Sequence, residues 1–138
     1  MTATAVPRPL RLLHLEDSEA DHALALAHLR RAGLDVQATR VETARAFELA
    51  LEQPWDAILS DYNLPGYSGL DALATVRADA RELPFILVSG EIGEDTAVEA
   101  MRNGASDYLL KNNLTRLGPA LLHAVETHEL VLARQRAD

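Results

Sequence analysis

The chain contains no cysteine, which excludes a disulfide framework and any thiolate metal site. It has no apolar run near the roughly 20 residues that a membrane-spanning helix requires. Met1 to Pro9 is Thr, Ala, Val and Pro with a single Arg8, and it lacks the apolar segment of a signal peptide. Basic residues are the minority, 13 Lys and Arg against 21 Asp and Glu, for a net charge of −8. They cluster only weakly, at Arg30-Arg31 and near the C-terminus, so binding to a nucleic-acid backbone is not expected. Neither a G-x-G-x-x-G nor a P-loop string is present, which removes the common nucleotide-binding signatures. The expectation is a soluble, cytoplasmic protein whose partners are other proteins or a cation, with no nucleic acid and no membrane.

What is present suffices for one core: 48% of the 138 residues are hydrophobic, the size and content of a single domain. Met1 to Pro9 reads as a disordered tail. Beyond it, five strand-like runs alternate with five helix-like runs. The strands are Leu10 to Leu15, Val36 to Val41, Ala57 to Asp61, Pro84 to Val88 and Tyr108 to Leu110. That alternation predicts an α/β fold, a parallel sheet with helices on both faces. The second strand is of mixed polarity and suits an edge. The first helix opens on Ser18 with Asp21 three residues on, the spacing of a capping box. It is expected to turn Leu24, Ala25, His28, Leu29 and Ala32 inward and to stop at Gly33. A second helix, Thr43 to Gln53, uses Phe47, Ala50 and Leu51, and a third, Leu70 to Ala80, uses Leu70, Leu73 and Val76. The fourth, Glu94 to Asn103, is expected to bury Ala97, Val98 and Met101. The last begins at Thr115 and uses Leu117, Leu121, Val125 and Leu132. Trp55, the sole tryptophan, reads as packing, and His28 as a half-buried core residue.

The chemistry collects at the carboxyl ends of the strands, where open parallel sheets place their ligands. The first strand delivers Glu16 and Asp17, the third Asp61, the fourth Ser89 and the fifth Lys111. Any one of these has a plainer reading; an aspartate just after a strand is commonly a cap or turn residue. Together they are harder to dismiss. Two like charges 4 Å apart cost about 4 kcal/mol at an effective dielectric near 20. A hard divalent cation relieves that conflict, and Mg²⁺ takes carboxylate oxygens while leaving room for phosphate oxygens. Lys111 adds a positive point charge and Ser89 a hydroxyl. This is equipment for phosphoryl transfer, with Asp61 as a nucleophile that is already ionised and needs no general base.

Glu16-Asp17, Asp61, Ser89 and Lys111, in this order on successive strand ends, resemble the receiver domain of two-component response regulators. The supporting strings are Leu15-Glu16-Asp17-Ser18, Ser60-Asp61-Tyr62-Asn63-Leu64-Pro65-Gly66 and Gly104-Ala105-Ser106-Asp107-Tyr108-Leu109-Leu110-Lys111. The resemblance implies a flavodoxin-like five-stranded parallel sheet of order 2-1-3-4-5, with the receiver spanning residues 10–127 and residues 128–138 extending the last helix. It assigns Asp61 as the phosphoacceptor. It gives Mg²⁺ to Glu16, Asp17, Asp61 and the backbone carbonyl of Asn63, and sets Lys111 and Ser89 toward the phosphoryl group. Tyr108 matches the switch aromatic that moves with Ser89. Asn63 and Glu91 match positions that tune loss of the phosphoryl group, so self-dephosphorylation is expected not to be very slow. One departure stands out: receivers usually carry proline after the lysine, often with a cis bond, and here Asn112 follows Lys111. A cis bond before a non-proline residue costs about 2.5–4 kcal/mol, which leaves the local turn and the fine placement of Lys111 open.

The implied function is that of a single-domain response regulator. A sensor histidine kinase would phosphorylate it, and it would signal to a downstream protein through a conformational switch. It would not be an enzyme beyond its own phosphorylation and dephosphorylation. The strings from Ser89 to Lys111 and Asn112-Asn113-Leu114 are similar to single-domain receivers that work with sensor kinases, including phytochrome kinases. Leu130-Val131-Leu132, past the usual end of the domain, suggests a homodimer through the last helix. An aspartate-nucleophile phosphatase would normally carry a second aspartate where this chain has Asn63. A receiver-like binding module indifferent to phosphorylation predicts a degraded acidic pocket, which is not what the sequence carries.

Overall fold

A computed structural model describes residues 9–79, 82–91 and 93–137. The expected tail, Pro9 apart, lies outside the described residues, as does Ala80, the expected end of the third helix. Five strands form one parallel sheet: β1 (Leu10–Leu15), β2 (Val36–Val41), β3 (Ala57–Asp61), β4 (Phe85–Ser89) and β5 (Asp107–Leu110). Their spatial order is 2-1-3-4-5, with β2 at an edge as expected. The helices are α1 (Glu19–Arg31), α2 (Ala44–Ala50), α3 (Gly69–Ala78), α4 (Glu94–Arg102) and α5 (Leu117–Ala137), the last preceded by a 3₁₀ turn, Leu114–Arg116. A two-residue antiparallel pair, Asn63–Leu64 with Tyr67–Ser68, follows β3.

Because strand side chains alternate between faces, the central strands feed two cores. Leu12, Leu59 and Ile86 face α1 and α5, where they meet Leu29, Leu117 and Leu121. Leu13, Ile58, Phe85 and Leu87 face the other way, against Phe47, Leu73, Val76 and Ala100. β3 and β4 are buried along their whole length, as expected for central parallel strands covered on both sides.

Helix ends follow local chemistry. Gly33, at φ 90°, closes α1: its N–H donates to the Arg30 carbonyl and that of Leu34 to the Leu29 carbonyl, the paired bonds of a left-handed stop. Gly104 ends α4 in the same way. Trp55 is a packing residue: its indole N–H donates to the Ala50 carbonyl at 2.8 Å and Arg11 lies over its ring.

Four inward assignments are corrected. Leu24 is 50% exposed, and α1 packs through Ala25, Leu26 and Leu29 instead. Val98 and Met101 are also about half exposed, while Ala100 is fully buried; α4 lies against the sheet through small side chains and carries its large ones outward. Leu132 is exposed too, because α5 runs past the last residue of the core it packs on, Val125. His28 is half-buried on α1, as expected.

Candidate functional site

Glu16 is the first residue beyond β1 and Asp61 the last of β3, so both carboxylates reach the same edge of the sheet. Glu16 and Asp61 are buried, whereas Asp17 is exposed. One oxygen from each of the three lies within 4.8 Å of the others. Lys111 directly follows β5, and its Nζ sits 3.1 Å from Asp61 Oδ2 and 3.7 Å from Glu16 Oε1. The described residues contain no cis peptide bond, and Lys111 reaches the site with Asn112 behind it.

The backbone secures this geometry. Ser18 N–H donates to Glu16 Oε2 at 3.1 Å, and Asn63 N–H donates to Asp61 Oδ1 at 3.3 Å. The loop after Asp61 returns tightly: Gly69 N–H donates to the Tyr62 carbonyl at 2.8 Å. A Cβ on Gly69 would meet the Asp61 carbonyl oxygen at 2.7 Å and collide with the Leu87 side chain. Only glycine allows this approach without displacement.

Electrostatics record the crowding. Burial first, then the neighbouring Asp61 charge, push the Glu16 carboxyl up to about 7, against the opposing pull of Ser18 N–H and Lys111. For Lys111, burial favours the neutral amine, but hydrogen bonds to Asp21 and Asp61 and the charges of Asp61 and Glu16 outweigh it and hold the ammonium well above its ordinary value. A buried carboxylate pair with one lysine over it suits a hard cation: the donors are all oxygen, one ligand is open to solvent, and the charge is uncompensated. Glu16, Asp17 and Asp61 are therefore the residues fitted to hold Mg²⁺.

The remaining expected residues gather beside this cluster. Ser89 stands one position past Val88, the register partner of Asp61. Its hydroxyl bonds to the backbone two residues on; it donates to the Glu91 carbonyl at 3.1 Å and accepts from Glu91 N–H at 3.2 Å. The Tyr108 hydroxyl donates to that same carbonyl at 3.4 Å. Asn63, Ser89, Glu91 and Tyr108 thus line one depression, together with Tyr62 and Thr96.

Two features had no sign in the sequence. Asp21 Oδ2 accepts from Lys111 Nζ at 2.9 Å, although the Ser18–Asp21 spacing reads as an ordinary helix cap. His14, buried in β1, lies with its Nδ1 2.8 Å from His22 Nδ1. One ring must donate and the other accept. Burial first, then the His22 charge, push His14 down to about 3.

The sheet order and an acidic edge with one lysine define a class, flavodoxin-like domains that gather carboxylates at their strand ends. Residues 12–122 match the response regulator receiver domain, and the chain belongs to that family, the receivers of two-component signalling. It is 37% identical to the regulatory protein LuxO of Vibrio vulnificus strain YJ016 over 98 residues, 70% of this chain and 21% of that protein. It is 33% identical to the cell cycle transcriptional regulator CtrA of Caulobacter vibrioides strain NA1000 over 102 residues, 74% of this chain and 44% of that one. The chain therefore spans about a fifth of LuxO and under half of CtrA. Among solved structures, full-length FixJ from B. japonicum superposes with a TM-score of 0.78 at 26% identity, covering 90% of this chain and 61% of FixJ. The receiver domain of a sensor histidine kinase from Pseudomonas aeruginosa PAO1 superposes with a TM-score of 0.71 at 27% identity, covering 86% of this chain and 99% of that domain. That receiver was solved with a magnesium ion coordinated in its active-site cleft.

Proposed function

We propose that this receiver accepts a phosphoryl group on Asp61 from a phosphohistidine of a sensor histidine kinase. The observation that carries the reading is Lys111 Nζ 3.1 Å from Asp61 Oδ2, at the edge of three carboxylates whose oxygens lie within 4.8 Å. An Asp61 carboxylate oxygen attacks phosphorus; the new P–O bond forms as the P–N bond breaks, and the leaving imidazole nitrogen keeps the electron pair. Glu16, Asp17, Asp61 and the Asn63 carbonyl would hold Mg²⁺, which would neutralise charge on the phosphoryl oxygens. Lys111 pairs with one of those oxygens. Ser89 swings from the Glu91 carbonyl to another, and Tyr108, bonded to that carbonyl, follows. Transfer of one hydroxyl proton donor between two acceptors is the kind of local event that biases a two-state element. Asn63 and Glu91 flank the path of the water that later hydrolyses the acyl phosphate.

The output passes to another protein, and the last helix offers a face for a second copy of the chain, with Leu130 66% exposed beside Val131 and Leu132. Sedimentation at micromolar concentration, with and without phosphorylation, tests that part; monomer in both states would overturn it. The phosphoacceptor reading is tested with beryllofluoride, a phosphoryl mimic. Calorimetry should show Mg²⁺-dependent binding that Asp61→Asn abolishes, and the absence of a binding heat in the wild type would count against the whole scheme.

A further inference from the structure

The chain contains two Ser-x-x-Asp strings at helix starts, and they behave differently. At α3, Ser68 Oγ accepts from Asp71 N–H and Asp71 Oδ2 accepts from Ser68 N–H, both at 3.0 Å. That is a closed capping box. At α1, Ser18 Oγ accepts from Asp21 N–H at 3.1 Å, but the box stays open, because Ser18 N–H goes to Glu16 Oε2 instead. The Asp21 carboxylate is thereby released from capping. It accepts from Lys111 Nζ at 2.9 Å, closer than the 3.1 Å between Lys111 and Asp61.

We propose that Asp21 is a positioning residue for Lys111, a second anchor that holds the ammonium between α1 and Asp61. This rests on the reading of Asp61 as phosphoacceptor with Lys111 as its cation. A lysine stem has four rotatable carbons and its ammonium three donors, so one partner does not fix it. Without Asp21, its remaining carboxylates are Asp61 at 3.1 Å and Glu16 at 3.7 Å, both inside the cluster, so the ammonium would settle on the nucleophile it is meant to assist. Asp21, on the first turn of a helix, gives it a fixed outer partner. One N–H is then committed outward, and the others stay aimed at Asp61, where a phosphoryl oxygen would arrive. Asp21 stands apart from the three-carboxylate group, so its removal leaves that group intact.

The test uses the 138-residue chain with Asp21→Asn, Asp21→Glu, Lys111→Ala and the Asp21→Asn/Lys111→Ala pair. The initial rate of Asp61 phosphorylation by acetyl phosphate and Mg²⁺ is expected to fall roughly fivefold in Asp21→Asn, the rate equivalent of a half-exposed ion pair. Asp21→Glu should restore most of it, since the longer arm starts from an open position. In the Lys111→Ala background, Asp21→Asn should do nothing further. A readout free of metal and reaction comes from ammonium NMR: the Lys111 signal should show a lower order parameter in Asp21→Asn than in the wild type. Unchanged ammonium mobility, or an equal slowing with and without Lys111, would overturn the role of Asp21 while leaving Asp61 as acceptor. A wild type that takes no phosphoryl group would overturn both.

Discussion

Glu16→Gln should make the metal-free protein more stable at pH 8, although it removes a residue of the site. The Glu16 carboxyl is raised from 4.5 to about 7, chiefly by burial and next by Asp61. Between those values the folded protein holds a proton that the unfolded chain has released, so the wild-type contribution falls as pH rises across the window. Two and a half units at 1.36 kcal/mol each put the cost above pH 7 on the order of 3 kcal/mol. The buried amide of glutamine recovers less, because its N–H groups meet Lys111 rather than an acceptor, at a cost of about 1 kcal/mol or more. The expected net gain is therefore about 1–2 kcal/mol, or a melting temperature higher by about 3–8 °C for a domain of this size. Thermal unfolding followed by circular dichroism in EDTA measures it. At pH 4.5 the wild-type carboxyl is protonated in the folded state and the advantage should nearly vanish; His14 titrates in both proteins and cancels from the difference. Saturating Mg²⁺ should raise the wild type and erode the gain by linkage. A variant no more stable than wild type at pH 8, or a difference the same at both pH values, would refute the crowded-carboxylate argument.

Three further outcomes follow from the same geometry. Gly69→Ala should destabilise the domain by about 1–3 kcal/mol in urea unfolding, the usual cost of overpacking, since the new Cβ meets the Asp61 carbonyl oxygen and Leu87; a variant within about 0.5 kcal/mol of wild type, the range of neutral surface changes, would contradict it. His14, pushed down to about 3, should show neutral-imidazole nitrogen shifts at pH 5, and its preference for the neutral ring should draw stability away as pH falls from 6.5 toward 3; a doubly protonated ring at pH 5 would contradict its burial. The phosphorylated wild type with Mg²⁺ should lose its phosphoryl group in well under many hours, the outcome expected from the proposed tuning role of Asn63 and Glu91; a half-life of many hours by intact mass would remove them from that role.

The fold was legible because its signals are local and repeated. Ala57 to Asp61 and Pro84 to Val88 are strand-length stretches built on apolar runs, and Gly33 and Gly104 stop helices where left-handed backbone is needed. The acidic cluster was legible because strand ends in a parallel sheet share one edge, so order along the chain becomes proximity. The corrections arose where three-dimensional packing chose between equivalent patterns. On α4 the periodicity permits either Val98 and Met101 or Ala100 inward, and close approach to the sheet selects the alanine. Asp21 was hidden because a Ser-x-x-Asp string looks identical whether its carboxylate caps the helix or leaves it. The choice at α1 depends on Glu16 taking the Ser18 N–H, a contact that no spacing rule reveals. The His14–His22 contact, between a strand and the helix beyond it, was invisible for the same reason.

Asp61 as acceptor is tested by intact mass after incubation with Mg²⁺ and acetyl phosphate, for wild type, Asp61→Asn and Lys111→Ala. The expected result is one added phosphoryl group on the wild type, absent when EDTA withholds the metal from the reaction, absent in Asp61→Asn and much slower to form in Lys111→Ala. A phosphoryl group that still appears on Asp61→Asn, or a wild type that stays unmodified under every donor and metal condition, would contradict Asp61 as the acceptor.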